Sequence, residues 1–500
     1  MEVLETHLSW VLLTGPYAYK IKKPVDLGFA DFSTRARRRR FCALELRLNR
    51  RLAPRLYRDV VTITGSVEAP RINGPGPVLE HAVRMVQFPQ DRLAAHQLRA
   101  QGLEARHFDA LALEVAAFHR RAGRARAGRG EPPSAHAAVR QNFVQLRQLP
   151  DLKSHVRHSA FLARWSERRF ATLAPLLRRR RQAGRVRECH GDLHLGNMVL
   201  LDDRLVMFDC IEFNPALRWI DTASEVAFVV MDLRHRGAPA FAHRFLNGYL
   251  EATGDYEALQ VLDYFLVYRA MVRAKVAAIR AAQCARDAPA RAAALAEARD
   301  YLVLARGFTR RRRRALVITH GLSGSGKTTL TGALVEQRGM IRVRSDVERK
   351  RLSGLAATTR SGSALGKGLY AARATARTYT ILEQRAAQIL RAGYGCIVDA
   401  TFLRRGQRAA FARLARRIGC PFRLIAFQAP VDVLRRRIAA RTLDASEATP
   451  AVLEAQREVY EPPAGAEAAR TVFLDTRSAG ATRRLLRVID TSQCVGGRPA

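Results

Sequence analysis

Eight consecutive residues, Gly321-Leu322-Ser323-Gly324-Ser325-Gly326-Lys327-Thr328, satisfy the pattern G-x-x-x-x-G-K-[ST] directly after the apolar run Ala315–His320, and Thr329 extends the phosphate-binding segment. Chemistry explains the residue types. Glycines let the backbone wrap round phosphate oxygens, whose charge meets N–H groups and the positive end of the helix that follows. A lysine at position 327 then reaches the β and γ phosphates of a nucleoside triphosphate, and the Thr328 hydroxyl holds Mg²⁺. Two carboxylates stand at later strand ends. Asp346 follows Ile341–Arg344 and is placed to orient an acceptor hydroxyl and take its proton. Asp399 closes Cys396–Asp399 and suits a Mg²⁺-bound water; a strand-end cap is the alternative for each acid. Arg437 and Arg441, one helical turn apart, either neutralise charge on a transferring phosphoryl group or form a solvated helix face.

A second constellation lies far upstream: Cys189-His190-Gly191-Asp192-Leu193-His194-Leu195-Gly196-Asn197, then a β-hairpin signal over 198–208 and Asp209. Its order and spacing match the logic of a protein-kinase catalytic loop, with Asp192 as base and Asn197 and Asp209 as Mg²⁺ ligands. Before it, Lys20 and Lys22 share one face of a strand by the period of two, and either can contact the α and β phosphates. Glu45 on the next helix is placed to pair with that lysine. The Tyr19-Lys20-Ile21 context favours Lys20; an exposed basic edge strand is the alternative. His190 and His194 read as hydrogen-bonded scaffold, and Cys189 and Cys210 as packing residues.

The positioning elements fall into two groups. Strands are predicted over 9–13, 18–23, 58–64 and 79–88, with a helix after Ser33 or Thr34 that repeats apolar residues at Phe41, Leu44, Leu48 and Leu52. Helical patterns dominate 105–300, broken by the island at 185–213. After five arginines, Arg310–Arg314, strands at 315–320, 341–344, 396–400, 422–428 and 471–474 alternate with helices from Lys327 and near 368–392, 405–418 and 431–440. That βα alternation predicts a parallel sheet with flanking helices. The fold class is therefore α/β and α+β. The expected extents are 1–305 for the first domain, 306–314 for an Arg-rich linker, 315–490 for the second domain and 491–500 for a tail.

The net charge is +40 over 500 residues, yet all but eight of the 85 basic residues are arginine, spread through the chain. Such a bias is a weak argument for a polyanionic partner, and nucleic acid is not favoured. Seven cysteines, at 42, 189, 210, 284, 396, 420 and 494, include no C-x-x-C pair, which fits a reduced cytoplasmic protein. Neither a basic, apolar leader nor a run of about 18 apolar residues is present, so secretion and membrane spanning are not expected.

Residues 316–463 resemble P-loop kinases of the polynucleotide kinase and zeta-toxin type. The phosphate loop, Ser345-Asp346, Val398-Asp399-Ala400-Thr401 and Asp444-Ala445-Ser446-Glu447-Ala448 carry the resemblance. It implies Asp346 as base and Arg437 or Arg441 as lid residues. Residues 5–280 resemble aminoglycoside phosphotransferase-like kinases, which implies a two-lobed protein-kinase-like fold. Their habit of a buried Asp opening the next helix matches Asp221. One departure is the absence of a glycine-rich loop before Lys20, where only Gly15 stands. Together the halves resemble a bacterial bifunctional family that fuses such modules. The resemblance implies a cytoplasmic ATP- and Mg²⁺-dependent phosphotransferase acting on a small-molecule hydroxyl. The alternative is a nucleotide or nucleic-acid kinase regulated by a non-catalytic N-terminal sensor.

Overall fold

The computed structural model describes residues 2–26, 28, 30–147, 156–284, 287–357, 359, 371–440 and 445–492. The chain forms two compact units: Met1–Gly237 with Val261–Thr309, and Ala238–Gln260 with Arg310–Ala500. The second therefore takes a segment from within 1–305.

The first unit opens with six antiparallel strands: β1 (Glu2–Glu5), β2 (Ser9–Leu13), β3 (Tyr17–Lys22), β4 (Tyr57–Gly65), β5 (Pro70–Ile72) and β6 (Val78–Val86), in spatial order β1-β2-β3-β6-β4-β5. The helix Arg35–Asn49, capped by the Thr34 hydroxyl, lies over this sheet. Its Cys42 joins Tyr57, Val83 and Val199 in one buried cluster, so sheet, helix and the downstream hairpin share a core. The island contains β7 (Val186–Glu188), β8 (Met198–Leu201), β9 (Arg204–Met207) and β10 (Trp219–Asp221), with β8–β9 forming the hairpin. Behind it runs the helix Thr222–His235, buried from Thr222 through Leu233.

In the second unit, β11 (Leu316–His320), β12 (Ile341–Arg344), β13 (Cys396–Asp399), β14 (Phe422–Gln428) and β15 (Thr471–Asp475) build a parallel sheet ordered β12-β13-β11-β14-β15. The fully buried Val317, Ile397 and Ile425 follow from that topology, because helices cover both faces. The helix Pro239–Thr253 belongs here as well. Its Asn247 Oδ1 accepts the Arg342 backbone N–H at 2.8 Å, and the β12 edge is thereby partly capped. Among the described residues, no helix is long and apolar enough to cross a membrane.

Candidate active sites

On β3 the period of two sends the ammonium groups of Lys20 and Lys22 to the same buried carboxylate. Glu45 Oε1 lies 2.9 Å from Lys20 Nζ and Oε2 lies 2.7 Å from Lys22 Nζ. Each lysine has a further partner, Asp209 for Lys20 and Glu212 for Lys22. Burial works against the charge on Lys20, but the Asp209 and Glu45 carboxylates outweigh it and hold its pKa well above the ordinary value. Burial likewise opposes the charge on Glu45, and the two ammoniums overcome it, holding the carboxyl down at about 2. The two lysines thus do different work. Lys20 reaches the carboxylate after the hairpin, while Lys22 is an interior strut. Upstream, Thr14 to Tyr17 make a tight turn whose Gly15 N–H donates to Gln87 Oε1 at 2.9 Å, where a glycine-rich loop would otherwise stand.

The loop 189–197 is suspended from the helix Thr222–His235. The His190 and Gly191 N–H groups donate to the two Glu225 oxygens, each at 2.7 Å, and the Leu195 N–H donates to Asp232 Oδ2 at 2.9 Å. Asp221 caps the same helix through Ala223 N–H and forms a buried two-point pair with Arg180 at 2.8 and 2.9 Å. Within the loop, the Asn197 amide nitrogen donates to the Asp192 carbonyl at 3.0 Å and to its Oδ2 at 2.9 Å, leaving the amide oxygen as an acceptor. The Phe208 N–H donates to the Asn197 carbonyl at 3.0 Å, which brings Asp209 to the loop. Burial pushes the Asp192 carboxyl up, yet His194, Arg273 and His190 hold it well below the usual range, so it is ionised. Asp209 has a left-handed φ of 62°, uncommon for a residue with a side chain, and its N–H donates to Tyr57 Oη at 3.2 Å.

Both histidines are engaged. His190 Nε2 pairs with the Phe208 carbonyl at 2.8 Å and its pKa is lowered, chiefly by burial; His194 Nδ1 accepts Gly196 N–H at 3.0 Å. Among the described residues His119, Cys189 and Glu225 form a buried group of metal-ligand types. Burial pushes the Cys189 thiol well up, and Glu225 already serves two backbone amides, so this group reads as packing.

In the second unit Gly321 and Gly324 have φ of 140° and 83°, and a Cβ at either would meet a backbone oxygen, Phe427 at 2.5 Å or Leu434 at 2.8 Å. Only glycine fits this wrap. Lys327 Nζ donates to the carbonyls of Gly321 at 2.9 Å and Leu322 at 2.8 Å, and to Ser325 Oγ at 3.2 Å. The Thr328 hydroxyl donates to Asp399 Oδ2 at 2.7 Å, which joins two hard oxygen donors of the kind Mg²⁺ takes. Asp346 lies in the first turn of the helix Ser345–Leu352 rather than on the strand, and Arg349 Nη1 donates to it at 3.3 Å. Arg437 reaches back to the loop, donating to Gly324 O at 3.4 Å and Thr476 Oγ1 at 2.9 Å. Arg441 lies outside the described residues. Ser323, Thr329, Lys327, Thr328, Asp346 and Asp399 all border one cleft of about 1730 Å³.

Sequence reasoning missed several supports. Glu225 and Asp232 hold the 189–197 loop, and their signal was a charge inside the apolar run Val226–Leu233 or at its edge. Gln456 exchanges two hydrogen bonds with Ser323, at 2.9 and 3.0 Å, and Tyr379 Oη accepts Phe402 N–H at 3.0 Å. Both lie far from their partners in sequence, and no local pattern marks them.

Comparison with known proteins follows this division. Residues 29–262 match the family model described as phosphotransferase enzyme family, and residues 316–463 match the one described as AAA domain. The chain therefore joins a domain of the phosphotransferase enzyme family to a P-loop domain that matches the AAA model. An uncharacterized protein of Mycobacterium tuberculosis is 29% identical over 451 residues, covering 90% of this chain and 88% of its own length. A Mycobacterium bovis protein, also uncharacterized, matches with the same figures. Among solved structures, a gluconokinase from Sinorhizobium meliloti is 22% identical, covering 36% of this chain and 97% of its own, at TM-score 0.27. The APS kinase CysC of Mycobacterium tuberculosis is 18% identical, covering 36% and 97%, at TM-score 0.27.

Proposed function

We propose that the chain is an ATP-dependent phosphotransferase with two Mg-ATP sites, one in each unit, each acting on the hydroxyl of a small molecule. The observation that carries this reading is that each unit assembles a cation for phosphate, hard oxygen donors for metal and a carboxylate base. In the first unit these are Lys20 held by Glu45, Asn197 with Asp209, and Asp192. In the second they are Lys327, Thr328 with Asp399, and Asp346.

The chemistry needs little covalent work from the protein, because phosphoryl transfer is served mainly by positioning and charge. Lys20 and Lys327 exchange their present oxygen partners for phosphate oxygens. Asn197 with Asp209, and Thr328 with Asp399, would hold Mg²⁺, which would supply charge neutralisation for the transfer. Asp192 and Asp346 orient the acceptor hydroxyl and take its proton as the γ-phosphorus is attacked. Arg437, anchored between Gly324 and Thr476, stabilises charge on the phosphate-loop side. A cytoplasmic setting agrees with the six described cysteines, all free.

Equilibrium dialysis against Mg-ATP tests the reading. The wild type should bind two nucleotides per chain and Lys327→Ala one. A single site in the wild type, or none, would refute it.

A further inference from the structure

A glutamine from far along the chain sits on the phosphate loop. Ser323 stands between Gly321 and Gly324, in the stretch whose N–H groups are there to meet phosphate oxygens. Its N–H instead donates to Gln456 Oε1 at 2.9 Å, and Gln456 Nε2 donates back to Ser323 Oγ at 3.0 Å. Among the described residues, both ends of that amide are thus spent on one buried loop residue. Lys327 Nζ, the ammonium that serves the β and γ phosphates, lies on the carbonyls of Gly321 and Leu322, the two residues just before Ser323. Ser323 is thereby placed at the β,γ end of a bound nucleotide. The helix that carries Gln456 is fixed independently of this contact. Pro450–Glu458 is capped by the Thr449 hydroxyl, and its fully buried Leu453 packs on Leu434 and Ile438, with Leu322 of the loop against the same cluster. The amide therefore stays over the loop when its hydrogen bonds are exchanged. Gln456 and Ser323 border the same cleft as Lys327 and Asp399.

A carboxamide carries an acceptor and two donors. A terminal phosphate oxygen that takes the Ser323 N–H displaces Gln456 Oε1, and rotation about the last side-chain bond turns Nε2 toward the same phosphate. Neutral hydrogen bonds are exchanged for charge-assisted ones, which are about twice as strong. A diphosphate brings no such oxygen, and the amide stays on Ser323. We propose that Gln456 is the positioning residue by which the second unit distinguishes a nucleoside triphosphate from the diphosphate. It rests on Ser323 in the free and diphosphate-bound protein and donates to the terminal phosphate when a triphosphate binds. This rests on the phosphotransferase reading above, and it serves that reaction by holding the terminal phosphate against Lys327 while the diphosphate product, lacking the contact, is let go.

Hydrogen–deuterium exchange of the full-length protein reads this at the second unit alone, through peptides that contain Ser323 and Lys327. Mg-ADP and the Mg complex of the non-hydrolysable β,γ-imido analogue of ATP are each titrated, and the concentration that half-protects the loop is taken for each. In the wild type the analogue should half-protect at a concentration lower than that of ADP by about tenfold or more. Gln456→Met keeps the length of the side chain but loses the amide. Without nucleotide its Ser323 N–H should exchange faster by about tenfold or more, and its preference for the triphosphate should fall by about fivefold or more with ADP unchanged. Gln456→Glu keeps an acceptor for the Ser323 N–H but offers the phosphate a negative charge and no donor. Its free loop should therefore stay protected while the preference is lost. An equal loss for both nucleotides, or an unchanged preference in both variants, makes Gln456 a support of the loop alone and overturns the proposal while nucleotide binding stands. Protection by neither nucleotide in the wild type overturns the reading of the second unit beneath it, and the proposal with it.

Discussion

Replacing Glu225 with glutamine should loosen the 189–197 loop by an amount the structure lets one work out. The Glu225 side chain is fully buried, takes N–H bonds of 2.7 Å from His190 and Gly191, and lies 3.5 Å from His119 Nε2. Burial alone would raise its pKa; His119 and His190 instead hold it at about 2, against an ordinary 4.5. At about 1.4 kcal/mol for each tenfold change in acidity, the charged form contributes roughly 3 kcal/mol to the folded state. A second route agrees, since glutamine keeps one acceptor but turns an NH₂ toward the other backbone amide, and a buried unsatisfied N–H costs about 1–3 kcal/mol. Trp10, Trp165 and Trp219 all lie in the first unit, so tryptophan fluorescence during urea unfolding reports on it selectively. With a slope of about 3 kcal/mol per molar, the midpoint of Glu225→Gln should fall by about 1 M. The folded pKa lies below the unfolded one, so this stability is present above pH 4.5 and is lost as pH falls toward 2. The gap between wild type and variant should accordingly be flat from neutral pH down to about 5 and close below that. A gap under about 1 kcal/mol at neutral pH, or one unchanged in acid, would refute the reasoning.

Three further outcomes are expected. Arg180→Ala leaves Asp221 buried without its two-point partner and should cost about 3–5 kcal/mol, seen in the same fluorescence transition. Lys20→Met should remove the turnover of the first unit with a small loss of stability, whereas Lys22→Met, which strips Glu45 and Glu212 of a buried cation, should lower the unfolding midpoint well before assay; equal effects of the two would contradict their different roles. Asn247→Ala removes the acceptor of the Arg342 N–H, and hydrogen–deuterium exchange at that amide should accelerate by about tenfold or more.

The parts legible in the sequence were those where one local pattern fixes both geometry and chemistry. The phosphate loop is such a case, because the conformations at Gly321 and Gly324 exclude any side chain. The parallel sheet followed from strands whose apolar runs are buried on both faces. The helix Ser345–Leu352 carries no such mark, because Arg344 precedes it without a side-chain cap, so Asp346 read as the end of a strand. Strand β1 is largely exposed and β5 wholly so, and neither shows the apolar alternation that marks β4. Contacts between distant segments left no local trace. The two carboxylates of Glu225 and Asp232 meet backbone amides more than thirty residues upstream, and Asn247 caps a strand 95 residues downstream. The packing of Pro239–Thr253 into the second unit is of the same kind, since its own composition is that of any amphipathic helix.

The most direct test of two phosphotransfer sites is ATP consumption against a pooled bacterial metabolite extract, comparing wild type, Lys327→Ala, Asp192→Ala and the double variant. The account predicts that each single variant keeps part of the extract-dependent turnover and that the double variant loses all of it. Complete loss with Lys327→Ala together with no change in Asp192→Ala would contradict it, confining the chemistry to the second unit.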